Sequence, residues 1–588
     1  MGLFLRQVLY LLGKDKNKLP FLILIFILAS ILELIGISLI GPYIGLLGDT
    51  NVTNETILVF IDYLGLPTEK RLLLILGGCA LFTVFVTKTI FSIWINKVLV
   101  EFGESHHIRL KSFLMTAYQS ISYVEYINRN SAEYIYSIYK LTGQYYGQAL
   151  MPLLRLASDG IIVLFIVIFL AWQNPLALAG LVFLLIIVGV IYDYLFRTKM
   201  HDYGAQINHA SKDTIQSVNE AIEGLKEIRV LGKEDYFHKK VVNNVSRQAL
   251  FSMKSSLISL SFRFFLELTM ILFVVFLVTT SLFIGKDIGS IMPTLSIFAV
   301  ASLRLFPSMN TLMQSIMLMR VGRDSISRLY SDLKQINREE TMALSVAPDN
   351  LNYEEFDTLT LNNVCFVYPT TNRDTLHNIS LQIKAGESIG FIGASGSGKT
   401  TLINTLLGLF THQKGVIKYN GRILEADLNE WRSQVAYIPQ QVFLVDDSLK
   451  RNVALGLSDK EIDNNKLYEA LRQARLLDLL EKLPEGVETI LGEKGISFSG
   501  GQRQRVALAR AFYNEKNVMI MDEATSALDN ALEAEIVNEL RELKGKKTMI
   551  IIAHRLTTLK YCDRIYELKS GNIIRESSYN DIIGFTSI

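Results

Sequence analysis

The segment from Gly393 to Thr400 combines glycines, small residues and one lysine at a spacing suited to phosphate binding. It reads Gly-Ala-Ser-Gly-Ser-Gly-Lys-Thr, in which successive backbone N–H groups can wrap phosphates at a helix N-terminus. Lys399 would reach the β and γ phosphates, and the Thr400 hydroxyl would hold Mg²⁺. The predicted phosphate-binding residues are Gly393, Ala394, Ser395, Gly396, Ser397, Gly398, Lys399, Thr400 and Thr401.

Two carboxylates further along the chain supply the second half of such a site. Asp522 and Glu523 directly follow the apolar run 518–521, so a buried strand would deliver both side chains at its C-terminal end. We expect Asp522 to hold the Mg²⁺ shell and Glu523 to orient and deprotonate the attacking water. The two segments together predict the hydrolysis of a nucleoside triphosphate.

The elements around these residues are those that a phosphate-binding loop requires. The apolar run 388–392 before the loop predicts a strand, and the run 402–409 after it predicts a helix. From Leu359 onward, short β-rich runs alternate with glycines, as is typical of an α/β nucleotide-binding domain.

The segment Phe498–Gln502, Phe-Ser-Gly-Gly-Gln, resembles the signature of ATP-binding cassette (ABC) proteins, with Phe where that signature usually begins with Leu. The apolar replacement is expected to be tolerated. The resemblance covers Leu359–Glu576, and four further positions match motifs of the family: Tyr368, Gln440, Asp529 and His554.

The resemblance implies roles for these residues. Tyr368 would be the aromatic platform for adenine, Gln440 would contact the metal or the water, and His554 would contact the γ-phosphate. The signature residues would face the phosphate-binding loop of another cassette: Ser499, Gly500, Gly501 and Gln502. One chain has one cassette, so the resemblance implies a homodimer with two composite sites that bind ATP and Mg²⁺.

The rest of the chain differs sharply in composition. Half of the 588 residues are apolar and the net charge is only +2, which excludes extended disorder and gives no indication of a nucleic-acid partner. Long apolar runs between residues 21 and 320 argue against a soluble-only enzyme and predict six membrane-spanning helices. These spans are Phe21–Leu47, Leu72–Ile95, Leu153–Trp172, Leu176–Leu195, Phe264–Ile284 and Ile291–Leu312.

The predicted fold is therefore an α-helical six-span membrane domain (1–330), a linker (331–350) and an α/β cassette domain (351–588). Basic residues before the first span and in the connections after the second and fourth spans place both termini in the cytoplasm. The corresponding membrane is the plasma membrane, which is the inner membrane in a bacterium.

Four segments outside the spans have predicted positions. Met1–Leu12 would be an amphipathic helix on the membrane surface, and Glu55–Leu64 an outer interfacial helix. The two long inner connections would extend into the cytoplasm and reverse near Ser122–Ile127 and Glu223–Gly232, which are candidates for docking onto the cassette.

A six-span domain followed by a cassette resembles ABC half-transporters of the exporter type. Lys88, Arg263 and Arg304 lie within or beside the spans, where a charge needs a partner or a wet cavity. Either Glu33 or Glu267 neutralises them, or the longer side chains extend to the membrane surface, or they form a cationic wall for an anionic head group.

Parts of the membrane half also resemble bacterial flippases for lipid-linked oligosaccharides. The stretches that carry this resemblance are 31–42 and 302–310. It implies that Lys88, Arg263 and Arg304 bind the pyrophosphate of a polyprenyl-linked glycan. A peptide or multidrug/lipid exporter would share every cassette motif and remains the alternative.

Overall fold

The computed structural model divides the chain into two compact units. The first comprises Met1–Ile121 and Arg129–Ala343, and the second comprises Ser122–Asn128 and Leu344–Ile588. The structure describes residues 2–48, 70–283, 288–339, 354–369, 374–492, 495, 498–553 and 555–586. The predicted interfacial helix Glu55–Leu64 lies outside the described residues.

The first unit is helical. Its α-helices are α1 (Gly2–Leu12), α2 (Leu19–Gly48), α3 (Lys70–Ser120), α5 (Ser131–Ile135), α6 (Thr142–Tyr145), α7 (Met151–Gln173), α8 (Pro175–Glu223), α9 (Leu225–Leu231), α10 (Glu234–Phe283), α11 (Ile288–Val321) and α12 (Arg323–Glu339). The short helix between α3 and α5, α4 (Tyr123–Asn128), belongs to the second unit. Two π-helical turns, Tyr136–Leu141 and Tyr146–Leu150, join α5, α6 and α7 into one continuous helical run.

Five stretches of the described chain are long and apolar enough to cross a membrane: Gly2–Ile40, Arg71–Ser120, Ser131–Gln173, Pro175–Glu223 and Glu234–Thr279. They contain the first four predicted spans in whole or in large part and most of the fifth. The sixth predicted span lies on α11. The predicted break between the third and fourth spans falls at Asn174, whose side chain accepts a hydrogen bond from the backbone N–H of Ala177 (3.1 Å) and caps α8.

The N-terminal helix α1 is amphipathic, as expected, but its apolar face packs on protein. Phe4, Val8 and Leu11 are buried, and the ring of Tyr10 meets that of Tyr330 on α12 edge to face at 5.0 Å. Burial of these apolar side chains against the rest of the first unit stabilises α1 through the hydrophobic effect. The prediction of a helix lying on the membrane surface therefore misses a protein contact that its buried face makes.

Helix α12 extends over the first part of the segment predicted as linker. One face of α12 is apolar, with Ile326, Leu329 and Leu333 buried in the same cluster as α1. Apolar residues at this spacing form a helical stripe that packs onto a core. Residues 331–339 of the predicted linker thus continue α12, and Leu333 packs with the core of the first unit.

A carboxylate on α12 organises the region around α4. Asp332 accepts hydrogen bonds from the Arg129 guanidinium (2.9 Å) and from the hydroxyls of Tyr118 (3.1 Å) and Ser137 (3.2 Å). The guanidinium of Arg129 also lies over the ring of Tyr134, 4.9 Å from its centroid. The residue that directly follows α4 is thus tied to the last helix of the first unit.

The second unit contains two β-sheets flanked by helices. The strands are β1 (Thr358–Val367), β2 (Asp374–Lys384), β3 (Ser388–Ile392), β4 (Lys414–Tyr419), β5 (Arg422–Ile423), β6 (Val435–Ile438), β7 (Val518–Asp522), β8 (Thr548–Ile552), β9 (Arg564–Lys569) and β10 (Asn572–Ser577). The first sheet is antiparallel with the order β2-β1-β4-β5, and the second has the order β10-β9-β3-β8-β7-β6. In the second sheet all neighbouring strands are parallel except β9 and β10.

The helices of this unit, besides α4, are α13 (Lys399–Leu406), α14 (Leu428–Gln434), α15 (Leu449–Val453), α16 (Asn464–Gln473), α17 (Leu477–Leu480), α18 (Gly500–Tyr513), α19 (Asn530–Leu543) and α20 (Tyr579–Thr586). Strands β3, β7 and β8 lie inside the second sheet, and every residue of β7 and β8 is buried. Because these strands are parallel, their C-terminal ends share one edge of the sheet.

The helix α4 belongs to the second unit although its chain neighbours belong to the first. It coincides with the predicted docking segment Ser122–Ile127. The ring of Tyr123 lies 5.9 Å from that of Phe410, and Val124 packs against the core formed by β1, β2 and α13. The other predicted segment, Glu223–Gly232, contains α9 and lies in the first unit.

Trp431 on α14 is fully buried and anchors the first sheet to α13. Its indole N–H donates to the carbonyl of Leu406 (2.7 Å), and its ring packs against Phe356 (5.6 Å) and Tyr419 (5.7 Å). Since Leu406 ends α13, this hydrogen bond satisfies one of the terminal carbonyls of that helix.

We expect Trp431→Phe to lower the free energy of unfolding of the cassette unit by ~1–3 kcal/mol, because the hydrogen bond and part of the buried ring are lost. Thermal unfolding of the detergent-solubilised chain, followed by circular dichroism, would measure the change. The matched control is Trp172→Phe, since Trp172 is 87% exposed in the chain. An equal shift in both variants would contradict the role of Trp431.

Candidate functional site

The loop Gly393–Gly398 joins β3 to α13 and forms the predicted phosphate cradle. The ammonium group of Lys399 lies inside the loop and donates to the carbonyls of Gly393 (2.8 Å) and Ala394 (3.0 Å). Gly393 has φ +149°, and a Cβ there would lie 2.3 Å from the carbonyl oxygen of Leu568. Only glycine therefore permits this turn, which directs the first amides of α13 toward the loop.

Burial lowers the pKa of Lys399, and the nearby carboxylates of Glu523 and Asp522 act in the opposite direction. An anionic phosphate in the loop would likewise favour the charged form of the lysine. The electrostatics of the loop thus suit a ligand that brings negative charge.

The predicted carboxylates lie at the end of β7. Asp522 is buried, and Glu523 follows it with φ +52°, a left-handed conformation that is uncommon for a residue other than glycine. The N–H of Glu523 donates to the carbonyl of Ile552 at the end of β8 (3.0 Å). Such backbone conformations occur at functional sites, where surrounding structure holds them.

Gln440 is brought to Glu523 as the sequence predicts. Its side-chain amide donates to the Glu523 carboxylate across 2.6 Å, and it follows β6, which is the neighbour of β7 in the sheet. Two predicted catalytic residues from distant parts of the sequence therefore meet at the shared edge. The third, His554, lies outside the described residues.

Tyr368, the predicted adenine platform, is held beside the first turn of α13. Its hydroxyl lies 3.2 Å from the Thr401 hydroxyl. Its ring meets those of Phe366 (5.1 Å) and Phe410 (5.5 Å) edge to face. The tyrosine is therefore next to the phosphate-binding loop, in an aromatic cluster.

The signature segment forms the N-terminus of α18. Ser499 caps the helix: its hydroxyl accepts from the N–H of Gln502 (3.2 Å), whose side chain in turn accepts from the N–H of Ser499 (2.7 Å). This is a capping box, so Gln502 has a structural partner within the segment. A Cβ on Gly501 would lie 2.9 Å from the carbonyl oxygen of Ala527, and glycine thus allows close packing of α18 on the loop that precedes Asp529.

Two residues that the sequence analysis did not single out connect the parts of the site. Gln504 on α18 donates to the Ser526 hydroxyl (3.1 Å) and accepts from the N–H of Ala527 (3.0 Å). Buried Glu533 accepts from Arg555 (2.5 Å), the residue after His554, and Arg555 also donates to the carbonyl of Leu528 (3.2 Å).

Burial alone would raise the pKa of Glu533, but hydrogen bonds from Arg555, Thr558 and Thr557 outweigh it and lower the pKa. Glu533 is thus held as a carboxylate. Neither Gln504 nor Glu533 belongs to one of the sequence motifs described above. The only signal for Glu533 is its position four residues after Asp529, which predicts that both side chains lie on the same face of α19. Asp529 itself caps α19 by accepting from the N–H of Leu532 (2.9 Å).

The basic residues predicted to bind substrate are ion-paired. Lys88 on α3 and Arg304 on α11 both meet Glu33 on α2, at 2.6 Å and 3.3 Å, and Glu33 is buried. Arg263 pairs instead with Glu267 on its own helix at 2.9 Å, and both side chains are exposed. The neutralising partners considered in the sequence analysis are therefore the ones found, and Glu33 gathers only two of the three cations.

Comparisons with known proteins agree with this arrangement. Residues 19–305 match the family model described as ABC transporter transmembrane region, and residues 376–526 match that of the ABC transporter. The chain is 32% identical over 448 residues to the ATP-dependent lipid A-core flippase of Pseudoalteromonas translucida, covering 74% of each chain. The flippase of that name from Desulfotalea psychrophila is 28% identical over 510 residues, covering 85% of this chain and 86% of the relative.

A solved structure described as a bacterial Atm1-family ABC exporter with ATP bound has the same fold. The TM-score is 0.79, with 21% sequence identity and 97% of this chain covered. The predicted fold class, a helical membrane domain joined to an ABC cassette, is confirmed. The chain carries a phosphate-binding loop, two carboxylates at the end of β7 and a signature helix, together with membrane-spanning helices. This protein belongs to the ABC transporter family and is an exporter-type half-transporter that couples ATP hydrolysis to transport.

Proposed function

We propose that the chain acts as a homodimer in which each ATP lies between the phosphate-binding loop of one copy and the signature helix of the other. The support is that one chain carries one complete set of these elements, including a signature helix whose N-terminus is capped by Ser499. Glycines at the next two positions leave backbone N–H groups accessible to a γ-phosphate. Two identical chains then form two equivalent sites.

The donor set fits Mg²⁺, which prefers oxygen ligands and phosphate. Thr400 offers an exposed hydroxyl beside the loop, Asp522 a carboxylate at the end of β7, and Gln440 an amide oxygen. The metal would neutralise charge on the phosphates. Lys399 would bind the β and γ phosphates, and His554 would contact the γ-phosphate.

Glu523 would act as the general base. Its backbone is fixed by the hydrogen bond to Ile552, and its side chain by Gln440. Both contacts hold the carboxylate at the edge where the phosphate loop also lies, and a carboxylate fixed in this way can accept a proton from the attacking water. Closure of the two cassettes around ATP would favour one conformation of the first, membrane-spanning unit. Hydrolysis of ATP would allow that unit to return to its other conformation.

Glu523→Gln should therefore retain ATP but hydrolyse it at least ~100-fold more slowly, since a general base contributes about that much. Phosphate release and the retention of nucleotide on the purified dimer would measure both effects. Glu481→Gln, at an exposed glutamate of the same unit, is the matched control. Normal turnover in Glu523→Gln would show that the assignment of the base is wrong.

For the transported molecule we propose an amphipathic lipid with an anionic head group, namely a lipid-linked oligosaccharide with a polyprenyl-pyrophosphate anchor. The observation that carries this proposal is the convergence of Lys88 and Arg304 on Glu33. Two cations share one carboxylate, so the cluster retains one formal positive charge. A phosphate can replace or join Glu33 as their partner, and Arg263 would bind the same head group.

The relatives named ATP-dependent lipid A-core flippase also support a lipid as the transported molecule, because their name specifies one. The transporter would lie in the plasma membrane, the inner membrane of a bacterium, with both termini in the cytoplasm. Movement of the head group would then be outward.

The triple variant Glu33→Gln, Lys88→Gln and Arg304→Gln neutralises the whole cluster. It should reduce ATP-driven translocation of a lipid-linked oligosaccharide in liposomes at least ~10-fold, because the charge-assisted contacts to the phosphates are lost. The combined change avoids a buried charge without a partner, so basal ATP hydrolysis should persist. A second variant, Arg263→Gln with Glu267→Gln, removes the exposed pair and tests the contribution of Arg263 separately. Unchanged translocation in the triple variant would contradict the proposal.

The pairing of Arg263 with Glu267 favours a second candidate. A neutral pair there offers no net charge to a head group, which would suit a peptide or multidrug exporter. Stimulation of ATP hydrolysis by peptides or amphipathic dyes, and not by lipid-linked oligosaccharides, would support this alternative.

A further inference from the structure

An aromatic cluster in the second unit connects the helix α4 with the adenine platform. The ring of Tyr123 on α4 lies 5.9 Å from that of Phe410. Phe410 in turn meets the ring of Tyr368 edge to face, with 5.5 Å between centroids and 80° between planes. One phenylalanine therefore contacts both the helix and the predicted platform.

Phe410 is closely held at this position. It is 3% exposed and stacks face to face on Phe366, with centroids 4.7 Å apart and planes 4° apart. Its backbone N–H donates to the carbonyl of Asn404 in α13 (3.2 Å). Because protein interiors are close-packed, a ring confined on these sides moves only when its neighbours move.

The same residue is tied to the nucleotide site by two routes. Through its backbone it follows α13, whose first residue is Lys399. Through its ring it touches Tyr368, whose hydroxyl lies 3.2 Å from that of Thr401 in the first turn of α13. A base stacked on Tyr368 and phosphates bound at α13 would both act on Phe410.

At its other end α4 leads directly to Arg129, which Asp332 on α12 holds at 2.9 Å. Arg129 also donates a hydrogen bond to Glu133 (3.2 Å), and Glu133 accepts another from Lys212 on α8 (2.7 Å). A displacement of α4 would thus be passed along the chain to helices α8 and α12 of the first unit.

We propose that Phe410 is a positioning residue that couples occupancy of the adenine platform to the position of α4, through the ring series Tyr368, Phe410 and Tyr123. This inference rests on the proposed function, in which ATP binding changes the conformation of the membrane unit. Phe410 touches neither the phosphates nor the transported lipid in this role. It determines how completely nucleotide binding is transmitted.

The test uses the full chain in lipid nanodiscs with a nitroxide pair across the homodimer. The label is placed by Tyr194→Cys, at a residue of α8 that is 84% exposed, and the exposed Cys79 is replaced by Cys79→Ser. Glu523→Gln in all samples keeps ATP bound. The readouts are the fraction of dimers whose label distance changes at saturating MgATP, and the Kd for MgATP.

Phe410→Leu and Tyr123→Leu should each reduce the responding fraction at least about threefold while the Kd for MgATP changes less than about threefold. The double variant should be no worse than the worse single variant, since contacts in one series are not independent. Tyr123→Phe, which keeps the ring, should respond like the parent. Tyr468→Leu, at a half-exposed ring of the same unit, controls for the loss of an aromatic side chain.

Tyr123 is 37% exposed, so its leucine variant tests the series even where Phe410→Leu fails to fold. A full response in Tyr123→Leu, or losses that multiply in the double variant, would overturn the inference alone. A parent protein whose label distance ignores MgATP would overturn the proposed function and this inference with it.

Discussion

The turn between β3 and α13 is the constraint on which the rest of the catalytic site depends. It is possible only because Gly393 lacks a side chain where the carbonyl of Leu568 approaches. This turn sets the start of α13, and with it the position of Lys399 and of the amides that face phosphate. The parallel order β3-β8-β7-β6 then brings Glu523 and Gln440 to the same edge, so residues far apart in sequence share one site.

The parts of the site fixed by short sequence segments were predictable. A loop of glycines before a lysine, or an apolar strand ending in two carboxylates, contains in a few residues the physical reason for its conformation. The same is true of the helix break at Asn174. The Ser-x-x-Gln spacing of Ser499 and Gln502 likewise predicts the capping box that the structure contains.

Contacts between distant segments were not predictable in this way. Glu533 meets Arg555 across two elements, and Lys88 and Arg304 meet at Glu33 across three helices. The sequence supplied both charges of each pair but not the packing that selects between partners. The extent of α12 was missed for a related reason, because its apolar stripe is meaningful only against the buried face of α1.

Two carboxylates in the first unit each bind several donor side chains. Glu33 serves two cations, and Asp332 accepts from a guanidinium and two hydroxyls. A carboxylate with several donors offsets the cost of removing each charge from water better than a single pair does. Such groups also tie three or more helices together at one point, which limits how those helices can separate.

The length of α3 has a mechanical consequence. Helix α3 has 51 residues and is therefore ~75 Å long. A continuous helix of this length can tilt as one rigid body. Tilting it by ~5° about one end would carry the other end through ~6 Å, more than one full helical turn. A small tilt at the end of α3 that precedes α4 therefore becomes a large displacement at the other end of the helix.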